Sequence, residues 1–187
     1  MDNQERQYRT KSGATITVDH VASLIVSWAE AQLGVMEEGG NNMGREIERY
    51  QSIVGKAEGE SWCLAFCQAA AHDVCQSLGC KNPLYPTEGC AELWDKHPTD
   101  RLSVALPGTI MIQKEYTSWH GHAGIVTASS NYDFFDTIEG NTNETGGREG
   151  DGVYRKKRTM KGTSTRACLG FIDLPQLIVN QMRKEGI

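Results

Sequence analysis

The chain has 187 residues, of which 39% are hydrophobic, and a formal net charge of -5. This length suits one domain with a core of its own. The longest basic run, residues 155–158, fits a solvated strand end, so nucleic acid is not an expected partner. No apolar run reaches the roughly 18 residues that a membrane span needs.

Polar residues dominate the first part of the chain, and we predict a polar lead-in over residues 1–18 and a single domain over 19–187. Apolar residues then recur at steps of three and four, which predicts an amphipathic helix over 21–34 with Asp19 as its N-cap. A second, short helix is predicted over residues 44–54.

A third helix is predicted over residues 62–78, with Ser61 as its cap and Gly79 just past its end. It is apolar on most sides, which is typical of a buried helix. Residues 81–108 hold four of the five prolines and predict a loop region around a short helix near 91–94.

The second half of the chain has the pattern of strands. The predicted strands are 109–113, 122–128, 134–139, 151–157 and 169–172, with a turn at 129–131 and a surface helix over 174–187. Short connections favour an antiparallel sheet, and helices that precede strands indicate an α+β fold. Neither an internal repeat nor a domain linker is visible.

Six cysteines could form a disulfide framework. The polar N-terminus has no apolar stretch, so we expect no secretory signal and synthesis in a reducing compartment. Most of the cysteines are then interpreted as small buried residues, although a disulfide between Cys80 and Cys90 remains open.

Cys63 has a special position, in the first turn of the third predicted helix. The free N–H groups and the dipole at a helix N-terminus stabilise a thiolate, and they also bind the oxyanion of a tetrahedral intermediate. The alternative is a buried structural thiol. Cys67, one turn further on, is interpreted as core.

A thiolate nucleophile needs a neighbouring base, and the chain has five histidines. His72 lies about half a turn away around the helix, and His20 and His97 are predicted at the surface. His120 and His122 remain, two residues apart and therefore on one face of a strand. We favour His122, which opens the apolar strand HAGIV, over His120 in the preceding loop.

The base needs a partner that fixes its tautomer. Glu139 and Asn141 end the next predicted strand and face the same side of an extended chain. If the strands pair as a hairpin, Glu139 lies beside His122; one of the two side chains holds the imidazole and the other positions water or the thiolate. The alternative is a capped turn, since Gly-Asn-Thr-Asn is turn chemistry.

The stretches ESWCLAF, GHAGIV and TIEGNTN resemble the signatures of the CHAP family, within the NlpC/P60 group of papain-like peptidoglycan hydrolases. AQLGVMEEGGNN and REGDGVYRKKR are similar too, so the likeness spans residues 28–173. It implies a papain-like α+β fold, with the nucleophile at a helix N-terminus packed on an antiparallel sheet. It also implies that Cys63 is the nucleophile, His122 the base, and Glu139 and Asn141 their polar partners.

Some members of this family bind calcium through aspartates just before the nucleophile. The corresponding stretch, GKAEGESW, has Glu58 and Glu60 but no aspartate, so we expect neither a metal nor another cofactor. Trp62, Trp119 and His120 are weaker candidates for substrate binding, and core packing is an equal alternative for the two tryptophans.

The expected function is therefore hydrolysis of an amide bond in peptidoglycan peptides, either at the muramoyl–alanine link or within the stem or bridge peptide. A chain without a signal peptide is expected to be made in the cytoplasm and to reach the periplasm or cell wall through a lysis pore or a secretion system. A phage lysin or a delivered antibacterial effector fits, and a delivery or immunity partner fits with it.

Two other functions stay open. One is a papain-like amidase or acyltransferase that acts on a non-wall amide. The other, which we favour least, is a cysteine-rich metal-binding module, because zinc sites usually show Cys-x-x-Cys pairs and the sequence has none.

Overall fold

A computed structural model describes residues 7–11, 13–129, 133–144 and 150–187. The fold is α+β, with five helices and a six-stranded antiparallel sheet. The helices are α1 (Val18–Ala31), α2 (Arg45–Ile53), α3 (Cys63–Leu78), α4 (Cys90–Lys96) and α5 (Leu174–Glu185).

The main sheet has the strand order β3-β8-β4-β5-β6-β7. Its strands are β3 (Arg101–Leu102), β4 (Ile110–Glu115), β5 (Gly121–Ser129), β6 (Phe134–Thr142), β7 (Gly152–Thr159) and β8 (Arg166–Ile172). Sequential antiparallel neighbours connect by short hairpins, which is why β4 to β7 follow each other in space as they do in the chain.

Helix α3 is the centre of the main core. It contacts α1, α2 and α5 on its outer sides and strands β5 and β6 of the sheet. Its residues from Leu64 to Ala71 are all buried, as expected for a helix that is apolar on most sides. The aromatic rings of Tyr50, Trp62 and Phe66 pack against one another beside it. This packing fixes the first turn of α3 relative to the sheet.

Both of the predicted N-caps were wrong. Thr17 caps α1, where its side chain accepts a hydrogen bond from the His20 N–H at 3.0 Å, and α1 therefore begins before Asp19. Trp62 occupies the N-cap of α3 without a capping side chain, and Ser61 is exposed. The buried indole of Trp62, rather than a polar cap, anchors this helix start.

Within residues 1–18 the structure places a small antiparallel hairpin of β1 (Gln7–Arg9) and β2 (Thr15–Thr17). The predicted turn at 129–131 lies mostly outside the described residues. The C-terminal helix α5 packs against α1 and buries Ile178, Val179 and Met182, so it is less superficial than predicted. Among the described residues, no helix is long and apolar enough to cross a membrane.

Candidate active site

Cys63 is the first residue of α3, and its side chain is partly exposed on a groove. Three neighbouring groups lower the pKa of its sulfur by hydrogen-bond interactions: the Cys90 thiol, the His122 ring and the backbone N–H of Ala123. The residues come from α4 and β5, so the helix start, a second helix and the sheet converge on one sulfur atom.

His122 lies in β5 and is almost fully buried. Its Nε2 is 2.7 Å from Glu139 Oε2, which leaves Nδ1 as the ring nitrogen for Cys63. A carboxylate on one ring nitrogen fixes which tautomer the other presents. The structure therefore joins Cys63, His122 and Glu139 in one hydrogen-bonded chain.

A glycine makes the contact between His122 and Glu139 sterically feasible. Strands β5 and β6 pair with Ile125 opposite Ile138, and extending this register by one residue sets Glu139 opposite Gly124. A Cβ atom on Gly124 would lie 2.4 Å from Glu139 Cγ. Because Gly124 has no side chain, Glu139 can lie across β5 and reach the imidazole.

Glu139 is fully buried and has two further partners besides the histidine. Thr137 Oγ1 donates to its Oε1 at 2.5 Å, and the Arg158 guanidinium holds both carboxylate oxygens, with Nε at 2.7 Å from Oε1. Burial raises the pKa of Glu139, but Arg158 and His122 outweigh it and hold this pKa well below its usual value. The carboxylate is therefore charged at all ordinary pH values.

The pKa values of Cys63 and His122 move in opposite directions, which favours a thiolate beside an imidazolium. The hydrogen bond from Cys90 holds the pKa of Cys63 well below its usual value, and the hydrogen bond and charge of His122 add to this effect against the cost of burial. Burial lowers the pKa of His122, but the charges of Glu139 and Cys63 raise it to about 9. A thiolate beside an imidazolium is the reactive form of a cysteine nucleophile.

Cys90 is the second thiol of the site, and no sequence pattern pointed to this position. It begins α4, and a Cβ atom on Gly121 would lie 2.6 Å from Cys90 Cβ, so Gly121 lets α4 approach the start of β5. The contact with Cys63 and burial raise the pKa of Cys90 well above its usual value. Cys90 therefore stays protonated and donates its S–H to the thiolate of Cys63.

Asn141 lies in the wall of the groove rather than on the imidazole. A break in the β6–β7 register after Glu139 and a φ of 52° at Asn141 end the strict alternation of side chains. The Nδ2 of Asn141 donates to Asn42 Oδ1 at 3.1 Å. Of the two predicted polar partners, Glu139 thus holds the histidine, while Asn141 and Asn42 form part of the groove.

The groove has a volume of about 760 Å³. Besides the sulfur and the imidazole, it is rich in hydroxyl and amide groups. Its lining includes the neutral polar residues Asn42, Ser61, Gln113, Tyr116, Thr117, Asn141, Thr142, Thr163, Ser164 and Thr165, and the charged residues Glu115, Arg158 and Arg166. Such a surface suits a polar, extended ligand that forms many hydrogen bonds.

The three weaker candidates have different positions. Trp62 is fully buried, donates its Nε1–H to Glu37 and does not line the groove, so for this residue the core alternative holds. His120 lines the groove, where its ring contacts Ser118. Trp119 is 76% exposed and stacks on His120 next to the groove.

The remaining histidines lie away from Cys63. His72 contacts the neighbouring Asp73, and His20 is exposed, as expected. The prediction that His97 lies at the surface was wrong: its ring is buried between Asp100 and the backbone N–H of Tyr85. The hydrogen bond from Tyr85 to this ring holds the proline-rich loop against the end of α4.

All six cysteines are free thiols, and the disulfide left open between Cys80 and Cys90 is not formed. In the described part of the chain, no three His, Cys, Asp or Glu side chains lie close enough to hold a metal ion together.

Sequence reasoning missed three groups at this site. Arg158 belongs to a basic run that was interpreted as solvated, yet it faces Glu139 because it is on the same face of the sheet as Phe135, its register partner. Cys90 comes next to Cys63, and Gln113 into the same groove, only through tertiary packing.

Comparisons of the chain with protein-family models, with curated proteins and with solved structures gave no match.

Proposed function

We propose that this protein is a papain-like thiol hydrolase of the CHAP type, which cleaves an amide bond in cell-wall peptides. The observation that carries the proposal is the hydrogen-bonded chain from Cys63 at the start of α3 through His122 to the buried Glu139. A nucleophile at a helix N-terminus with a histidine and an orienting group on a sheet is the arrangement of papain-like hydrolases.

Acylation uses groups that are already in place. The Cys63 thiolate attacks the substrate carbonyl carbon and forms the C–S bond, while N–H groups of the first turn of α3 bind the developing oxyanion. The His122 imidazolium then gives its proton to the amine nitrogen, and the C–N bond breaks. The amine leaves, and the acyl group remains on sulfur.

Deacylation uses the same two residues, Cys63 and His122. Neutral His122 takes a proton from water, the hydroxide attacks the thioester carbonyl, and the C–S bond breaks to give the carboxylic acid and the Cys63 thiolate. Glu139 keeps the ring oriented through both steps and stabilises its positive charge, and Arg158 keeps Glu139 ionised. The proton that His122 takes from water replaces the one that it gave to the leaving amine, so the starting state of the pair is restored.

Two features support a cell-wall peptide as the substrate. The motifs around Cys63, His122 and Glu139 resemble those of peptidoglycan hydrolases. The groove around them is lined by hydroxyl and amide groups that match a peptide backbone, and the exposed ring of Trp119 beside it offers a flat apolar surface to a sugar. On this proposal the protein acts in the periplasm or cell wall after delivery.

The test is digestion of purified peptidoglycan by wild type and Cys63→Ala, with the released products identified by mass. Wild type is expected to generate new amine and carboxyl ends, and Cys63→Ala is expected to lose at least about 10⁴-fold in rate. Cys80→Ala is the matched control, because Cys80 lies beyond the other end of α3. Equal release by wild type and Cys63→Ala would rule the proposal out.

A further inference from the structure

Gln113 lies beside the catalytic pair, and the proposed mechanism does not use it. It is in β4, directly opposite His122 in the β4–β5 pairing. Residues opposite each other across an antiparallel pair lie on the same face of the sheet, about 5 Å apart at Cβ. Gln113 also lines the groove that contains Cys63.

The amide of Gln113 is buried and has no partner among the described residues. The residue is 1% exposed, and both Nε2 and Oε1 lack a hydrogen bond within the described ranges. A buried amide that makes no hydrogen bond is unfavourable, and native proteins rarely keep one. An unpaired amide in the wall of a catalytic groove is thus a group prepared for a ligand.

A second buried glutamine, Gln68, provides a contrast. Gln68, which is also 1% exposed, donates from Nε2 to the carbonyls of Tyr85 and Thr87 and accepts at Oε1 from Asn82. It lies in α3 and does not line the groove. Gln51, the other buried glutamine that the structure describes, lacks a partner only at Oε1, because its Nε2 donates to two backbone carbonyls. Among these three buried glutamines, only Gln113 has both amide atoms unpaired.

We propose that the Gln113 side chain binds an amide group of the substrate adjacent to the atom that Cys63 attacks, and selects an amide over a carboxylate at that position. A primary amide presents one donor edge and one acceptor edge. Another amide complements both edges at once. A carboxylate has only acceptors, so it would leave Oε1 of Gln113 unpaired and facing negative charge.

This inference rests on the thiol chemistry proposed at Cys63 but not on the identity of the wall substrate. It can therefore be tested with two small electrophiles, iodoacetamide and iodoacetate. In both reactions the Cys63 thiolate displaces iodide and forms a C–S bond, which places either a carboxamide or a carboxylate one carbon from sulfur. The two reagents differ only in the group that Gln113 would contact.

The experiment measures the alkylation rate of the Cys63 peptide by each reagent, together with the thermal unfolding midpoint, for wild type, Gln113→Leu and Gln68→Leu. Gln113→Leu changes no charge. We expect it to lower the ratio of the iodoacetamide rate to the iodoacetate rate about tenfold, the effect of one or two neutral hydrogen bonds. Its unfolding midpoint should equal or exceed that of wild type, because no internal hydrogen bond is lost.

Gln68→Leu is the matched control, with the opposite expectation. It removes an amide that is fully paired inside the protein, so its midpoint should fall while the alkylation ratio stays at the wild-type value. An unchanged ratio in Gln113→Leu would overturn the inference. A fall of its midpoint as large as that of Gln68→Leu would also overturn it, because the amide would then be paired within the fold.

The two proposals fail in different ways. If wild type digests no peptidoglycan but the alkylation ratio still depends on Gln113, then the wall substrate is wrong and the amide site stands. If wild type digests peptidoglycan and the alkylation ratio is the same in wild type and Gln113→Leu, then the hydrolase proposal stands and the role of Gln113 is overturned.

Discussion

The two ends of α3 carry the same kind of thiol pair in different surroundings. At the start of the helix, Cys63 is hydrogen-bonded to Cys90; near its end, Cys75 is hydrogen-bonded to Cys80. In both pairs one thiol has its pKa lowered by a hydrogen bond from the other, whose own pKa is raised. Contact between two thiols therefore does not by itself distinguish Cys63 from Cys80.

What distinguishes the first pair is its surroundings. Cys63 lies at the positive end of the helix dipole, next to His122 and on a groove. Cys80 lies just past the negative end of the helix. The hydrogen bond from Cys75 lowers its pKa, burial and the charge of Glu185 oppose this effect, and no histidine is among the groups that shift it. On the proposed function, Cys63 differs from Cys80 by its neighbouring histidine and its groove, and not only by its lowered pKa.

The largest expected effect of a single change outside Cys63 comes from the base. His122→Gln should reduce hydrolysis by about 10³-fold, because neither the proton for the leaving amine nor the charge beside the thiolate remains. Steady-state rates on the same peptidoglycan check this.

His120→Gln is the matched comparison. The two histidines are two residues apart, but only the His122 ring contacts Cys63, while His120 faces Ser118. We expect His120→Gln to lose less than tenfold. Equal losses in the two variants would contradict the assignment of the base.

The next effect comes from the residue that orients the base. Glu139→Gln should reduce hydrolysis about 10²-fold and destabilise the fold by roughly 2 to 3 kcal/mol, because the buried contact with Arg158 loses its charge. NMR titration of the His122 ring measures the cause directly. Its pKa, about 9 in the wild type, should fall.

Glu115→Gln serves as a control for that prediction. Glu115 also forms an ion pair with an arginine, Arg166, and contacts a histidine, His120. These contacts lie at the hairpin between β4 and β5 rather than at Cys63. The His122 titration should be the same in this variant as in wild type. If Glu139→Gln left the His122 pKa at about 9, the role assigned to Glu139 would be wrong.

The smallest effect tests the thiol pairs themselves. Cys90→Ala removes the hydrogen bond to the Cys63 thiolate, so the pKa of Cys63 should rise and hydrolysis near neutral pH should fall roughly fivefold. Cys75→Ala removes the equivalent bond to Cys80 and should leave hydrolysis unchanged. Identical pH–rate curves for Cys90→Ala and wild type would mean that Cys90 does not tune the nucleophile.

Much of the fold could be predicted from local patterns. The apolar character of the third helix and Gly79 after it located α3, and the bounded apolar runs located β4 to β8 to within a few residues. The hairpin of β1 and β2 and the two-residue β3 were missed, since such short strands leave no periodic pattern to read.

Local sequence patterns predicted part of the site. Helix position identified Cys63, and strand position identified His122 and Glu139 as neighbours. Alternation failed at Asn141, because the break in register after Glu139 cannot be seen in the sequence. Cys90 and Arg158 come to the site from a proline-rich loop region and a basic run, and only the packing of α4 and the pairing of β6 with β7 brings them there.

The most direct test of the account is the pH dependence of Cys63 alkylation by iodoacetamide, read by mass next to Cys80 in the same protein. Wild-type Cys63 should react as a thiolate far below the ordinary thiol pKa of about 8.5, at lower pH than Cys80, and His122→Gln should shift only the Cys63 curve upward. A Cys63 curve centred near 8.5 and unchanged in His122→Gln would contradict the ion pair on which the proposed function depends.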